Sequence, residues 1–256
     1  MSYMKESKNY KYIIETCIDT VYSCHQAIKG SADRIELCSA LGLGGLTPSA
    51  SMIAYAQEKL DASIAVMIRP RSGDFLYDDE EFELMKRDIE YCKQIGVDSV
   101  VLGLLTASGE VDKERTKRLV ETAGDVKVCF HRAIDMTPDI LEATQAIVDC
   151  GCRRVLTSGG CATAVEGIEN IKQMQADFGK RIDIMVGGGI SAANANLFKP
   201  MGILNFHLSG KADMESKMLF RKDGISMGAT SPEKEYIITQ TDFRKIAQMR
   251  AALESE

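Results

Sequence analysis

The chain has no lysine- or arginine-rich block, and its 31 basic residues are outnumbered by 37 acidic ones, for a net charge of −6. The electrostatic footprint of a nucleic-acid binder is therefore missing. No apolar run approaches the ~20 residues that a membrane-spanning helix needs, and the opening segment, Met1 to Tyr12, is polar and lysine-bearing without a signal-peptide core. A soluble cytoplasmic protein is expected, with neither membrane nor nucleic acid as partner. Prolines number only 5 and no Pro/Gly/Ser tract divides the sequence. With no linker in sight, residues 1–256 are expected to form one domain.

What is present is thiol. Eight cysteines without an export signal imply reduced sulfur, available to a soft metal or to packing. Two of them close a repeated tetrapeptide, Ile14-Glu15-Thr16-Cys17 and Ile35-Glu36-Leu37-Cys38, each inside an apolar run that reads as a strand. Side chains alternate along a strand, so Glu15 shares a face with Cys17 and Glu36 with Cys38. The repeat thus sets two thiols in equivalent places, each above a carboxylate.

Strand-like and helix-like segments alternate along the whole chain. Strands are predicted near residues 11–18, 34–39, 63–69, 99–105, 126–133, 153–158, 182–187 and 203–209, and helices over Tyr55 to Leu60, Glu81 to Ile95, Lys113 to Ala123, Ile140 to Val148, Ala164 to Phe178 and Thr241 to Leu253. Eight βα units in this length favour an α/β fold of the closed (β/α)8, or TIM, barrel type over an open sheet. Thr47-Pro48-Ser49 and Ser191 look like helix starts. One stretch breaks the rhythm: a long polar loop at about 211–238, before the last helix, suits a lid, an oligomer contact or a disordered excursion.

Parity with the apolar, helix-facing side picks out the inward residues: Glu15, Cys17, Glu36, Cys38, Met67, Arg69, Cys129, His131, Met185, Gly187, Asn205, His207 and Ser209. Of these, Cys17, Cys38, Arg69, His131 and His207 fall at C-terminal strand ends, where such barrels keep their functional groups. Glu15 and Glu36 sit one layer deeper, where an unpaired carboxylate is costly, and a Glu36–Arg69 ion pair is expected. Cys17 and Cys38, on strands ~4.8 Å apart, suit Cu(I), with Met67, Met185, His131 or His207 extending the shell. Plain packing and a reversible disulfide explain the same residues.

Elsewhere the cysteines carry weaker cases. Cys150-Gly151-Cys152 reads as a turn on the far side of the barrel, Cys24 and Cys92 as packing, and Cys161 as a loop thiol at the functional end. Ser158-Gly159-Gly160 and Gly187-Gly188-Gly189 offer bare backbone N–H groups to an anion. With Arg69 and Arg132 they suggest a site for a phosphorylated or carboxylated molecule, although tight turns alone would also need the glycines. An enzyme built on these parts would use His131 as general acid or base, oriented by Glu36 or Glu15, with Arg69 beside it. A structural histidine at a strand end fits as well.

Longer motifs carry a resemblance. Ala32-Asp33-Arg34-Ile35-Glu36-Leu37-Cys38-Ser39, Gly44-Gly45-Leu46-Thr47-Pro48-Ser49, Met67-Ile68-Arg69-Pro70-Arg71 with Gly73-Asp74-Phe75, Phe130-His131-Arg132-Ala133, Leu156-Thr157-Ser158-Gly159 and Gly187-Gly188-Gly189-Ile190 together resemble the CutC copper homeostasis family. The similarity runs from about Glu15 to Ser209 and on through Ser226-Met227-Gly228. It implies a cytoplasmic TIM barrel, a homo-oligomer (dimer or tetramer), and Cu(I) held at Cys17 and Cys38. One departure is local: the family's usual Gly-Ala-Leu after the fourth strand reads Gly103-Leu104-Leu105 here. Two functions follow, Cu(I) buffering or trafficking through the two cysteines, or a barrel enzyme acting on a small anionic molecule.

Overall fold

The computed structural model describes residues 10–228 and 231–255. Eight parallel strands, β1 (Ile13–Ile18), β2 (Arg34–Leu37), β3 (Ser63–Met67), β4 (Ser99–Leu102), β5 (Lys127–Phe130), β6 (Arg154–Thr157), β7 (Asp183–Val186) and β8 (Asn205–Leu208), pair in sequence order and close between β8 and β1. The predicted TIM barrel is formed. Around it lie α1 (Val21–Lys29), α2 (Ala50–Lys59), α3 (Asp79–Ile95), α4 (Lys113–Ala123), α5 (Ile140–Asp149), α6 (Ile168–Phe178) and α7 (Phe243–Glu254). No helix among the described residues is long and apolar enough to cross a membrane.

Local chemistry explains most helix boundaries. Ser49 caps α2 by accepting from the Met52 N–H, and Asp78 and Glu81 form a reciprocal capping box at the start of α3. Two sequence expectations need correction. α1 was not anticipated; it is short and begins at Thr20, whose hydroxyl accepts from the Ser23 N–H. Ser191 opens no α-helix. Its segment runs through two 3₁₀ turns, Ala195–Leu197 and Lys199–Met201, because Pro200 lacks an N–H and disfavours helix just before it.

Strand parity separates two cores. Ile14, Ile18, Ile35, Leu37, Val66, Ile68, Val128 and Phe130 pack outward against the helices. Cys38, Ala65, Met67, Val101, Cys129, Leu156 and Met185 form a separate cluster inside the barrel. Below the mouth the interior is charged: buried Glu15 is ion-paired with Arg34, and Arg154 Nη1 stands 3.9 Å from the same carboxylate.

The segment expected as a loop at 211–238 is built at both ends. β9 (Lys211–Glu215) pairs antiparallel with β10 (Ile237–Thr241) in a separate two-stranded sheet. Between them Leu219, Phe220 and Met227 are strongly exposed. Ala229 and Thr230 lie outside the described residues.

Candidate functional site

Register decides how the repeated tetrapeptide is used. Glu15 lies opposite Arg34, and Cys17 lies opposite Glu36. The two strands are staggered by two residues, so Cys38 stands one rung above Cys17 and the thiols are not level. That correction follows from barrel closure, which requires neighbouring strands to shift along one another. A stagger of one rung separates the two Cα atoms by roughly 8 Å, beyond the reach of a disulfide without backbone movement.

On the other side of β1, Glu15 is level with His207 of β8. The His207 ring therefore reaches Glu36 across the mouth, with Nε2 2.9 Å from Glu36 Oε2 and 3.8 Å from Glu15 Oε1. Cys17, Glu36 and His207 each offer one ligand atom, and these atoms all lie within 4.8 Å of one another. Burial alone would depress the imidazolium, but Cys17 and Glu36, by charge and hydrogen bond, hold the His207 pKa well above its ordinary value. Burial pushes the Cys38 thiol well up, and Glu36, Cys17 and Asp19 push it the same way. Cys38 is thus a protonated, buried neighbour of a half-buried Cys17.

The expected Glu36–Arg69 ion pair is not formed. Arg69 donates instead to the carbonyls of Leu43 and Gly45 at 3.1 Å each and of Gly73 at 2.9 Å, tying together the loops after β2 and β3. Nor does Glu36 or Glu15 orient His131, since they are held by His207 and Arg34. The His131 Nδ1 accepts from the Ala133 N–H at 3.1 Å, and its ring lies 5.0 Å from that of Phe75. Burial, reinforced by the Arg69 charge, lowers the His131 pKa to about 3.

Arg132, Ser158 and Gly159 are also arranged differently from expectation. The loop after β6 is filled by the chain's own carboxylate: Asp135 accepts from the Thr157 hydroxyl at 2.5 Å, the Ser158 N–H at 3.0 Å and the Gly160 N–H at 3.1 Å. Arg132 Nε completes that cradle at 2.8 Å, while its Nη2 donates to Ser158 Oγ at 2.7 Å. Gly159 serves packing, because a Cβ there would meet the Gly167 carbonyl oxygen at 2.3 Å. Gly188 lies under the Arg132 guanidinium, where a Cβ would approach to 3.3 Å, and Gly189 is exposed beside it. Arg69 thus serves the β2 and β3 loops and Arg132 the β6 loop.

Sequence reasoning missed Arg34 and Asp135. Arg34 was legible, for it precedes Glu36 by two and shares its face. Asp135 follows Arg132 by three, a spacing with many other meanings. Cys24, Cys92, Cys150 and Cys152 are buried, and Cys161 is half-buried in the β6 loop. A cavity of about 340 Å³ lies between the loop after β4 and the start of α5, lined by Glu110, Asp112, Pro138 and Glu142 among others.

Comparison with known proteins agrees with this architecture. The model of the CutC family matches residues 12–212, a span that ends as β9 begins. A family protein CutC of Vibrio vulnificus (strain YJ016) is 44% identical over 247 residues, covering 95% of this chain and 98% of that protein. The human copper homeostasis protein cutC homolog is 40% identical over 241 residues, covering 94% of this chain and 88% of its own. Among solved structures, a CutC protein of Streptococcus agalactiae superposes with a TM-score of 0.74 at 33% identity, covering 77% of this chain and 98% of that one. Thiamine phosphate pyrophosphorylase of Pyrococcus furiosus, at 14% identity and a TM-score of 0.57 over 95% of this chain and 96% of that one, shares the fold.

Proposed function

The chain belongs to the CutC family, and from that premise we propose that it serves copper homeostasis in the cytosol by holding Cu(I) at the barrel rim where Cys17, His207 and Glu36 converge. The observation that carries this reading is the approach of three potential ligand atoms to within 4.8 Å of one another. Thiolate and imidazole are donors that suit a soft cuprous ion, whereas hard divalent ions prefer oxygen cages. Cys17 and His207 would bind the metal. Glu36, already bonded to the ring at 2.9 Å, would orient His207 or accept the proton that a metal displaces. Cys38, one rung above, is the second sulfur within reach. Its burial disfavours the thiolate, so it is the weaker ligand of the rim.

Competition for Cu(I) against a chelator, under anaerobic conditions at neutral pH, tests the proposal. Cys17→Ser and His207→Gln are each expected to weaken binding by about tenfold or more, and Cys38→Ser by less. Equal losses for the two serine variants, with His207→Gln silent, would restore a two-thiol clasp in place of the triad. Unchanged affinity in the double variant Cys17→Ser/Cys38→Ser would dispose of copper binding at this rim.

A further inference from the structure

Four arginines are buried among the described residues: Arg34, Arg69, Arg154 and Arg250. Arg34 and Arg154 share Glu15, and Arg250 is paired with Asp33. Arg69 alone of the four has no carboxylate within ion-pair distance among the described residues. Its three hydrogen bonds go to neutral carbonyls, and its Nε–H, buried, has no partner. A guanidinium only 6% exposed and lacking a counter-charge is unfavourable unless something else supplies one.

A second orphaned donor lies nearby. Because His131 Nδ1 accepts from the Ala133 N–H, the proton of the neutral ring belongs on Nε2. That Nε2 is buried without a partner, and the buried Tyr77 hydroxyl has none for its own proton, its oxygen facing the Arg69 guanidinium. Phe75 brings the groups together: its ring centroid lies 5.0 Å from that of His131 and 5.1 Å from the Arg69 guanidinium carbon. The charge of Arg69 is felt at both His131 and Tyr77. On the opposite wall, the His131 ring is pressed against Gly103, where a Cβ would come within 2.5 Å of it.

We propose that the β3–β5 side of the mouth is an oxyanion-binding site, in which His131 Nε2, Arg69 Nε and the Tyr77 hydroxyl donate to a carboxylate or phosphate group under the cover of Phe75. Three donors and one fixed positive charge, with no carboxylate ion-paired to Arg69, call for an acceptor-rich anion, although Asp135 faces His131 and Glu81 faces Tyr77 from the surrounding loops. The site is separate from the proposed copper rim, which uses β1, β2 and β8. Phe75 is half-buried on a loop whose residues Ser72, Gly73 and Asp74 are exposed, and entry of the anion requires its side chain to rotate. Arg132, in contrast, has its anion already in Asp135.

The chain has only 3 histidines, so ¹⁵N-histidine NMR of the intact protein reads His131 directly. Inorganic phosphate and acetate are titrated separately to about 50 mM, enough to fill a millimolar site, against sodium chloride at matched ionic strength. A saturable shift of the His131 Nε2–H signal is expected with at least one anion. Phosphate alone would mark a phosphoryl ligand and acetate alone a carboxylate. Tyr77→Phe, which keeps the ring, should weaken that binding by about tenfold. The proposal is overturned if neither anion moves the signal, if chloride moves it equally, or if Tyr77→Phe binds as tightly as the parent. The titration of the unmodified protein stands even if the variant does not fold.

Discussion

Replacing Arg34 by methionine removes the main partner of a carboxylate that has no exposure to solvent. Glu15 is 0% exposed and Arg34 10% exposed in their side chains. Breaking a buried pair from one side costs about 3–5 kcal/mol. Arg154 at 3.9 Å and His207 at 3.8 Å still face Glu15, so the lower end, about 3 kcal/mol, is expected for Arg34→Met. In a chain of this length that corresponds to a melting temperature lower by about 6–12 °C. Removing the stranded charge as well, in Glu15→Gln/Arg34→Met, should recover most of the loss.

The same pair has a pH signature. Burial would raise the Glu15 pKa, but Arg34, His207 and Arg154 together hold it below its ordinary 4.5. A carboxyl whose folded pKa is depressed stabilises the fold above its unfolded pKa, and that contribution is lost as pH falls through the folded value. In Arg34→Met the loss begins at higher pH, because burial is then opposed by fewer cations. Calorimetry and urea titration between pH 4 and pH 8 would measure both effects. A loss below about 1 kcal/mol for Arg34→Met, or a double variant no more stable than the single one, would refute the coupling.

His131 gives the opposite kind of titration. It is neutral in the fold, with a pKa of about 3 against an ordinary 6.5, so the unfolded chain alone takes up its proton as pH falls below 6.5. Stability should decline by about 1.4 kcal/mol per pH unit from this source, and His131→Gln should be flatter between pH 6.5 and 5; parallel curves would sink the assignment. Gly103→Ala should cost about 1–3 kcal/mol through its clash with the His131 ring, measured by urea unfolding. Gly42→Ala, which meets nothing within 4 Å, is the control and should stay within about 0.5 kcal/mol.

The neighbourhood of Arg69 shows where a one-dimensional reading stops. Its inward position at the end of β3 follows from alternation, yet its partners are carbonyls from Leu43, Gly45 and Gly73 on two loops. Backbone carbonyls are present at every residue and carry no sequence signal. The β6 loop is similar: its glycines looked like an anion cradle and do hold an anion, but the anion is Asp135 of the same chain. Charge type could be read, whereas the identity of the partner depended on which loops meet.

By itself the sequence determined the eight strands, their inward and outward faces and the rim on which the thiols and imidazoles gather, because alternation and helical spacing are local consequences of backbone geometry. Tertiary structure alone decided the rung on which each side chain stands. Closing the barrel staggers β2 against β1, putting Cys17 level with Glu36 and Cys38 a rung higher, and brings His207 of β8 against both carboxylates. Register is a property of the whole closed sheet, set by the shear that closure demands, and no single strand contains it.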